Sequence, residues 1–129
     1  MSGTLEKLHE ECAGISLRDD CPAEAAGICY NGLLAMQHRG QEGAGIAAAR
    51  QNAITCHKDV GLVTEAFPPS VMEKLPPARQ AIAHARYSTT GSNTIRNVQP
   101  FVTEFLTGRI ATAHNGNVVN AREIREKLT

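Results

Sequence analysis

The stretch AGIAAARQNAITCH, residues 44–57, carries the strongest signal for the fold. Residues 44–49 form an apolar run of strand length, and Gln51 and Asn52 resemble a hairpin turn that leads into a second strand over residues 53–57. Alanine and glycine are abundant in the chain, which is typical of a core that packs small side chains and close backbones. The stretch therefore predicts an antiparallel hairpin.

Upstream of this hairpin, the sequence predicts one strand and one helix. The strand covers residues 12–17. Asp20 is the expected N-cap of the helix, and Pro22 lies in the first turn, where proline is tolerated. Apolar side chains at spacings of four, four and three residues extend the helix to about residue 37: Ala25, Cys29, Leu33 and Met36.

Downstream of the hairpin, we expect more short strands and little helix. Residues 64–77 contain two Pro-Pro pairs and are predicted to be loop, with at most a short helix over residues 70–75. The remaining predictions are a strand over 79–86, a loop over 89–99, hairpin strands over 101–106 and 109–114 with Thr107-Gly108 as the turn, and a helix opened by a capping box over 120–123. This pattern predicts an α+β fold rather than alternating βαβ units.

Composition excludes several classes of protein. The chain of 129 residues is the size of one domain, and its 13 basic and 13 acidic residues balance, so no charge excess points to nucleic acid or a membrane surface. Neither a secretory signal nor an apolar run of the ~20 residues that span a membrane is found. We therefore expect a soluble, cytoplasmic protein.

Four cysteines are spaced in a way that fits neither paired zinc ligands nor a dense disulfide framework. Cys21, Cys29 and Cys56 are expected to be small buried hydrophobic residues. Cys12 differs through its position near the amino terminus. If residues 1–11 were removed, it would carry both a thiol and an α-amino group, which titrates near ~8, so that one residue could supply nucleophile and base.

Polar residues concentrate in four further segments. Residues 37–45 combine His38 and Arg39 with three glycines, which permit close backbone approach; a solvated turn is the alternative. In residues 83–91, Arg86 follows a buried strand and is suited to gripping a carboxylate, beside the hydroxyls of residues 88–90; an exposed turn is the alternative.

The other two segments lie around the second predicted hairpin. In residues 113–117, Asn115-Gly116 is a strong turn signal, but the Asn115 amide and the Gly116 N–H could instead stabilise an oxyanion. Residues 97–101 could simply lead into a strand. The histidines in these segments are too far apart in sequence to argue for a metal site.

Together and in this order, Cys12 and the four segments resemble the class II, or N-terminal-nucleophile, glutamine amidotransferase domain. The resemblance implies a sandwich of two antiparallel sheets between helical layers, incomplete at its C-terminal end. It divides the chain into a propeptide, residues 1–11, and the amidotransferase domain, residues 12–129.

The resemblance also assigns roles to individual residues. The thiol of Cys12, exposed by cleavage after Glu11, would attack the side-chain amide of glutamine to give a thioester and ammonia, and water would then release glutamate. It further implies that the glutamine is bound by Arg86 and Thr89, that the oxyanion hole is formed by Asn115 and Gly116, and that the nucleophile is buttressed by Arg39 and Gly40.

Within the class, residues 37–45 and the removable propeptide are most similar to those of amidophosphoribosyltransferases. Members of that family use the ammonia on phosphoribosyl pyrophosphate (PRPP) to make 5-phosphoribosylamine in purine biosynthesis. The resemblance implies that PRPP, Mg²⁺ and an optional iron–sulfur cluster belong to a transferase domain absent from this chain, and that the complete protein is a homo-oligomer. No cofactor or metal is expected in these 129 residues.

Two alternatives remain open on the sequence. The chain could be a non-catalytic, truncated paralogue that serves as a binding or interaction module. It could also belong to another class II amidotransferase with a different ammonia acceptor.

Overall fold

The computed structural model describes residues 13–17, 23–87 and 94–129. Six strands are found there: β1 (Ala13–Leu17), β2 (Gly43–Arg50), β3 (Ala53–Val60), β4 (Gln80–Arg86), β5 (Phe101–Phe105) and β6 (Gly108–Thr112). The helices are α1 (Ala25–Ala35), α2 (Val63–Ala66), α3 (Pro69–Met72) and α4 (Ala121–Leu128), with 3₁₀ turns at Gln37–Arg39 and Ile95–Asn97.

The strands form two antiparallel sheets. The larger has the order β1-β4-β2-β3, and the smaller is the β5–β6 hairpin. The predicted hairpin of residues 44–57 is thus confirmed as β2 and β3, with Gln51 at φ 52° in the turn. The α+β class with two antiparallel sheets is confirmed as well.

One face of the larger sheet packs against α1 and α2. Side chains alternate between the two faces of a strand, and the core face of β4 carries three alanines while that of β2 carries Ile46 between two alanines. Such small residues let α1 approach the sheet closely, and the predicted stripe of α1 lies in this contact, with Ala25, Cys29 and Leu33 fully buried. Packing of this face accounts for most of the apolar core.

The opposite face of the same sheet carries the polar residues of interest. On β4 this face presents His84 and Arg86, the buried polar side chains of the described core. It is covered by residues 95–100, in which Val98 and Pro100 are fully buried and the Gln99–Pro100 peptide bond is cis. This second face, not the α1 face, positions the candidate site.

Several local predictions were inaccurate. Residues 64–77 contain parts of two short helices rather than at most one. The α3 helix overlaps the predicted short helix, whereas α2, which begins at Val63, was not predicted. Val63, Ala66 and the following Phe67 are buried. The carboxylate of Glu65 accepts a hydrogen bond from the Leu62 N–H at 2.7 Å, which stabilises the start of α2. The second helix, α3, starts at Pro69, a favourable position for proline at a helix N-terminus.

The capping box predicted for the last helix was wrong. Asn120 precedes α4, but its side chain makes no capping hydrogen bond, and its backbone (φ −112°, ψ 31°) lies outside the extended region that an N-cap adopts. The turn of the second hairpin is also shifted, since β6 already begins at Gly108. Asp20 and Pro22 lie outside the described residues.

The cysteine predictions have mixed outcomes. Cys29 is fully buried, as expected, and Cys56 is only half-buried. Burial nevertheless raises the pKa of the Cys56 thiol, while the charge of Lys58 opposes this change. Cys21 lies outside the described residues.

Candidate active site

The site is built around the end of β4. His84 and Arg86 are two residues apart on one strand, so they share a face and are separated by about 6.6 Å along it. Both are buried, at 1% and 7% exposure. A histidine and an arginine removed from water in this way need polar partners. The surrounding loops supply them for Nε2 of His84 and Nη1 of Arg86.

Glycines flank His84 on both neighbouring strands. In the register of the sheet, His84 lies opposite Gly14 of β1 and Gly45 of β2. A side chain at Gly45 would collide with the carbonyl oxygen of Gln99 and come within 2.8 Å of Pro100 Cδ. Gly45 therefore leaves a gap on the sheet face, into which the backbone of residues 99–100 fits, on the strand next to His84.

His84 contacts the predicted oxyanion residue directly. Its Nε2 lies 2.9 Å from Oδ1 of Asn115, a residue that is exposed to solvent. Gly116, the next residue, has φ +129°, a conformation that favours glycine. Strand β4 thus contacts the Asn115-Gly116 turn through the side chain of His84.

Burial lowers the pKa of the His84 imidazole below its ordinary value near 6.5. The hydrogen bond with Asn115 opposes the change, the Arg86 charge adds to it, and His114 acts in both directions through its backbone and its ring. Around neutral pH the ring is therefore neutral.

Arg86 is held by the segment that covers the sheet. Its Nη1 donates to the carbonyl oxygen of Asn97, and its own carbonyl oxygen accepts from the N–H of Glu42 at 3.0 Å. The guanidinium is charged at any relevant pH and offers five donors in a planar fork. Such a group is suited to binding a carboxylate.

The Gln37–Arg39 turn packs against the same end of β4. A Cβ on Gly40 would lie 2.6 Å from the Ala85 carbonyl oxygen and 2.9 Å from the Arg86 carbonyl carbon, so only glycine fits. The side chain of Gln37 fastens this turn, because Nε2 donates to the Gly40 carbonyl at 2.6 Å and Oε1 accepts from the Val63 N–H at 2.8 Å. Arg39, next to Gly40, is half-buried.

Residues 98–100 connect the larger sheet to the Asn115-Gly116 turn through a second set of hydrogen bonds. Lys58 of β3 donates to the carbonyl oxygens of Val98 and Pro100, at 2.7 and 3.2 Å. Gln99, between them, hydrogen-bonds to the main chain of His114 with both ends of its amide. Residues 97–101 thus do more than lead into β5, because hydrogen bonds connect this segment to Arg86, Lys58 and His114. We call residues 97–101 the bracket.

The structure brings Arg86, Gly40 and Asn115-Gly116 to the same end of the larger sheet, and Arg39 adjoins Gly40. Cys12 and Thr89 lie outside the described residues, as does the predicted cleavage after Glu11. Ala13, which follows Cys12 in sequence, pairs with Ala85, one residue before Arg86. The roles assigned to these residues remain predictions.

Sequence reasoning missed the part played by His84, Gln99 and Lys58. His84 and Gln99 lay in segments that had been singled out, whereas Lys58 follows a predicted strand and carried no distinguishing signal. A glycine in each flanking strand was the available clue for His84. It becomes informative only when the strand register is known.

No helix in the described part of the chain combines the length and apolar character needed to cross a membrane.

Comparison with known proteins identifies the family. The family "Glutamine amidotransferases class-II" matches residues 28–129. The chain is 47% identical to amidophosphoribosyltransferase 3, chloroplastic, of Arabidopsis thaliana, over 95% of this chain and 23% of that protein. It is 45% identical to amidophosphoribosyltransferase of Synechococcus elongatus, over 92% of this chain and 24% of the relative.

Solved structures agree with these relatives. A structure described as the allosteric regulatory enzyme of purine biosynthesis superposes with a TM-score of 0.80 and 42% identity, covering 90% of this chain and 25% of the solved one. Glutamine PRPP amidotransferase from B. subtilis, complexed with ADP and GMP, gives a TM-score of 0.76 and 41% identity, with coverage of 90% and 24%. The chain thus spans about a quarter of the length of the relatives it matches, and it belongs to the class II glutamine amidotransferases.

Proposed function

We propose that the complete protein hydrolyses glutamine to glutamate and ammonia with Cys12 as the nucleophile. The observation that carries this proposal is the placement of Arg86 and Asn115 around one buried histidine, at the end of a strand in a class II amidotransferase fold. Arg86 would bind the α-carboxylate of glutamine, and the Asn115 amide with the Gly116 N–H would stabilise the oxyanion formed from its side-chain amide.

The geometry supports a site that grips both ends of one amino acid. Arg86 and His84 are about 6.6 Å apart along one face of β4, and the His84 ring contacts Asn115. In this proposal Arg86 is the anchor for one end of the glutamine and Asn115 is the anchor for the other. The proposal requires the Cys12 thiol at this end of the sheet, which is consistent with the pairing of Ala13 and Ala85.

The reaction would follow from these groups. The thiolate of Cys12 attacks the amide carbon, the carbonyl oxygen becomes an oxyanion between Asn115 and Gly116, and the α-amino group of Cys12 delivers a proton to the departing ammonia. Water then cleaves the thioester to give glutamate and regenerate the thiol. Arg39 and Gly40 would buttress the nucleophile, and Thr89 would contact the bound glutamine beside Arg86.

The names of the relatives suggest the fate of the ammonia. We propose that it reacts with PRPP to form 5-phosphoribosylamine, in a transferase region of the complete protein. Mg²⁺ and any iron–sulfur cluster would belong to that region, and the amidotransferase segment would need no cofactor of its own. We also propose that the complete enzyme is cytoplasmic and homo-oligomeric.

The decisive experiment measures glutamate release by the protein expressed from its complete reading frame, with and without PRPP. We expect hydrolysis that is lost in Cys12→Ala, and formation of phosphoribosylamine when PRPP and Mg²⁺ are present. Undiminished glutaminase activity in Cys12→Ala would refute the assignment of the nucleophile. Hydrolysis without any product from PRPP would favour another ammonia acceptor, and no hydrolysis in the wild type would favour a non-catalytic module.

A further inference from the structure

We infer that His84 is a positioning residue that fixes the Asn115 side-chain amide so that its nitrogen serves the oxyanion. This inference rests on the proposed function, because Asn115 has a catalytic task only if glutamine is hydrolysed. It adds a residue outside the predicted set, and it rests on a part-buried contact of 2.9 Å between two side chains.

The contact is built into the sheet rather than formed at the surface. His84 is 1% exposed, while Asn115 is exposed. In the register of the sheet His84 lies between Gly14 and Gly45, and the backbone at Gln99 and Pro100 packs directly against Gly45. Confinement of this kind leaves the ring little freedom to turn away from Asn115.

The tautomer of His84 follows from its second nitrogen. Nδ1 is buried and has no hydrogen-bond partner among the residues that the structure describes. A buried N–H without an acceptor is rarer and more costly than a bare acceptor nitrogen, so the proton belongs on Nε2. Nε2–H then donates to Oδ1 of Asn115, because an amide oxygen can only accept a hydrogen bond.

This direction of donation determines which branch of the Asn115 amide lies against His84. The oxygen and nitrogen of a side-chain amide occupy opposite branches, so holding Oδ1 against His84 fixes the position of the NH₂ group. An amide rotated by half a turn would present its oxygen to the developing oxyanion and repel it. His84 therefore selects the rotamer in which Asn115 donates.

Two substitutions separate this role from simple packing. The amide nitrogen of His84→Gln can reach the place of Nε2, whereas the shorter His84→Asn cannot. In the complete protein, we expect His84→Asn to lower kcat for glutamine hydrolysis by about tenfold to 100-fold with little change in KM, because an oxyanion donor acts mainly in the transition state. His84→Gln should retain kcat within roughly threefold of wild type.

A double-mutant cycle tests whether His84 acts through Asn115. Asn115→Ala should lower kcat by itself, and adding His84→Asn should then cost nothing further. Additive losses, or equal losses in His84→Gln and His84→Asn, would overturn the inference. A purely structural role would produce the same additional loss in both backgrounds.

The ring tautomer gives a readout that does not depend on activity. Two-bond ¹H–¹⁵N spectra of the wild-type protein labelled on its histidine ring nitrogens should show His84 as the Nε2–H form. The Nδ1–H form would overturn the inference even if glutamine is hydrolysed. Absence of hydrolysis in wild type, with the Nε2–H form observed, would instead refute the proposed function and leave the tautomer of His84 as inferred.

Discussion

Gln99 pairs with the main chain of His114 in both directions. Its Oε1 accepts from the His114 N–H at 2.6 Å, and its Nε2 donates to the His114 carbonyl oxygen at 3.0 Å. The Gln99 side chain therefore makes with His114, the residue before Asn115, the two hydrogen bonds that a neighbouring β-strand would make. Gln99 and His84 thus hold the Asn115 turn from two sides.

We predict that Gln99→Glu impairs the site without unfolding the protein. The carboxylate can still accept from the His114 N–H, but it cannot donate to the carbonyl, and the two oxygens repel each other. The glutaminase kcat should fall by about tenfold, a part of the loss expected when an oxyanion donor is removed entirely. Steady-state kinetics test this, and a kcat equal to that of wild type would show that the bracket is dispensable.

Gly40→Ala should be destabilising because its Cβ would enter backbone atoms of β4, 2.6 Å from the Ala85 carbonyl oxygen. Strand backbone cannot give way as a flexible side chain can, so we expect a cost of about 1–3 kcal/mol together with reduced glutaminase activity. Thermal unfolding of the variant measures the first effect.

Gly27→Ala is the matched control for Gly40→Ala. Gly27 lies inside α1, and nothing lies within 4 Å of the Cβ that would be added there. Alanine should therefore stabilise the helix by about 0.5–1 kcal/mol. Similar effects at the two glycines would contradict the close approach that we describe at Gly40.

Lys58→Met tests how residues 98–100 are held on the sheet. The ammonium donates to two carbonyl oxygens and lies 4.8 Å from the centre of the Phe101 ring. Removal of the charge should cost about 1.5–3 kcal/mol, the range for hydrogen bonds to charged groups, and should speed amide exchange in residues 95–101. Arg122→Ala, which breaks only the exposed ion pair with Glu126, should cost less than about 1 kcal/mol.

The depressed pKa of His84 predicts a pH dependence of stability. The unfolded state binds the proton more readily than the folded state, so stability is complete above the ordinary pKa of 6.5 and declines as the pH falls toward the lowered folded value. Coulombic interactions with Arg86 and His114 both act to lower this pKa. The slope from one proton is at most about 1.4 kcal/mol per pH unit.

Thermal unfolding midpoints of the wild-type protein should be measured at about pH 5.5 and about pH 7.5, which lie on either side of the ordinary histidine pKa. The difference between the two midpoints reports this slope. His84→Gln cannot titrate, and its midpoint should therefore change less between the two conditions. Equal changes in wild type and variant would show that His84 is not the group responsible.

Local signals predicted the local elements well. The Gln51-Asn52 turn and the flanking apolar run define β2 and β3, and the stripe of α1 is read directly from its spacing. The α2 helix was missed because two Pro-Pro pairs dominate residues 64–77, while its stability comes from burial of Val63 and Phe67 against distant strands. Burial of this kind is a tertiary effect that propensity does not contain.

The candidate site shows the same division between local and long-range information. Arg86 and Asn115-Gly116 were predicted because their motifs are local. The contact between His84 and Asn115 joins residues 31 apart, and it depends on the register that sets His84 between Gly14 and Gly45. No periodicity in the sequence encodes that register by itself.

Cys12, freed of residues 1–11, is proposed here as the nucleophile that attacks glutamine. The test is intact and peptide mass spectrometry of the complete protein after incubation with a diazoketone analogue of glutamine. We predict a mature chain that begins at Cys12 and carries one covalent adduct on its thiol, with neither feature in Cys12→Ala. A chain that still begins at Met1, or an adduct on another residue, would show that Cys12 is not the amino-terminal nucleophile.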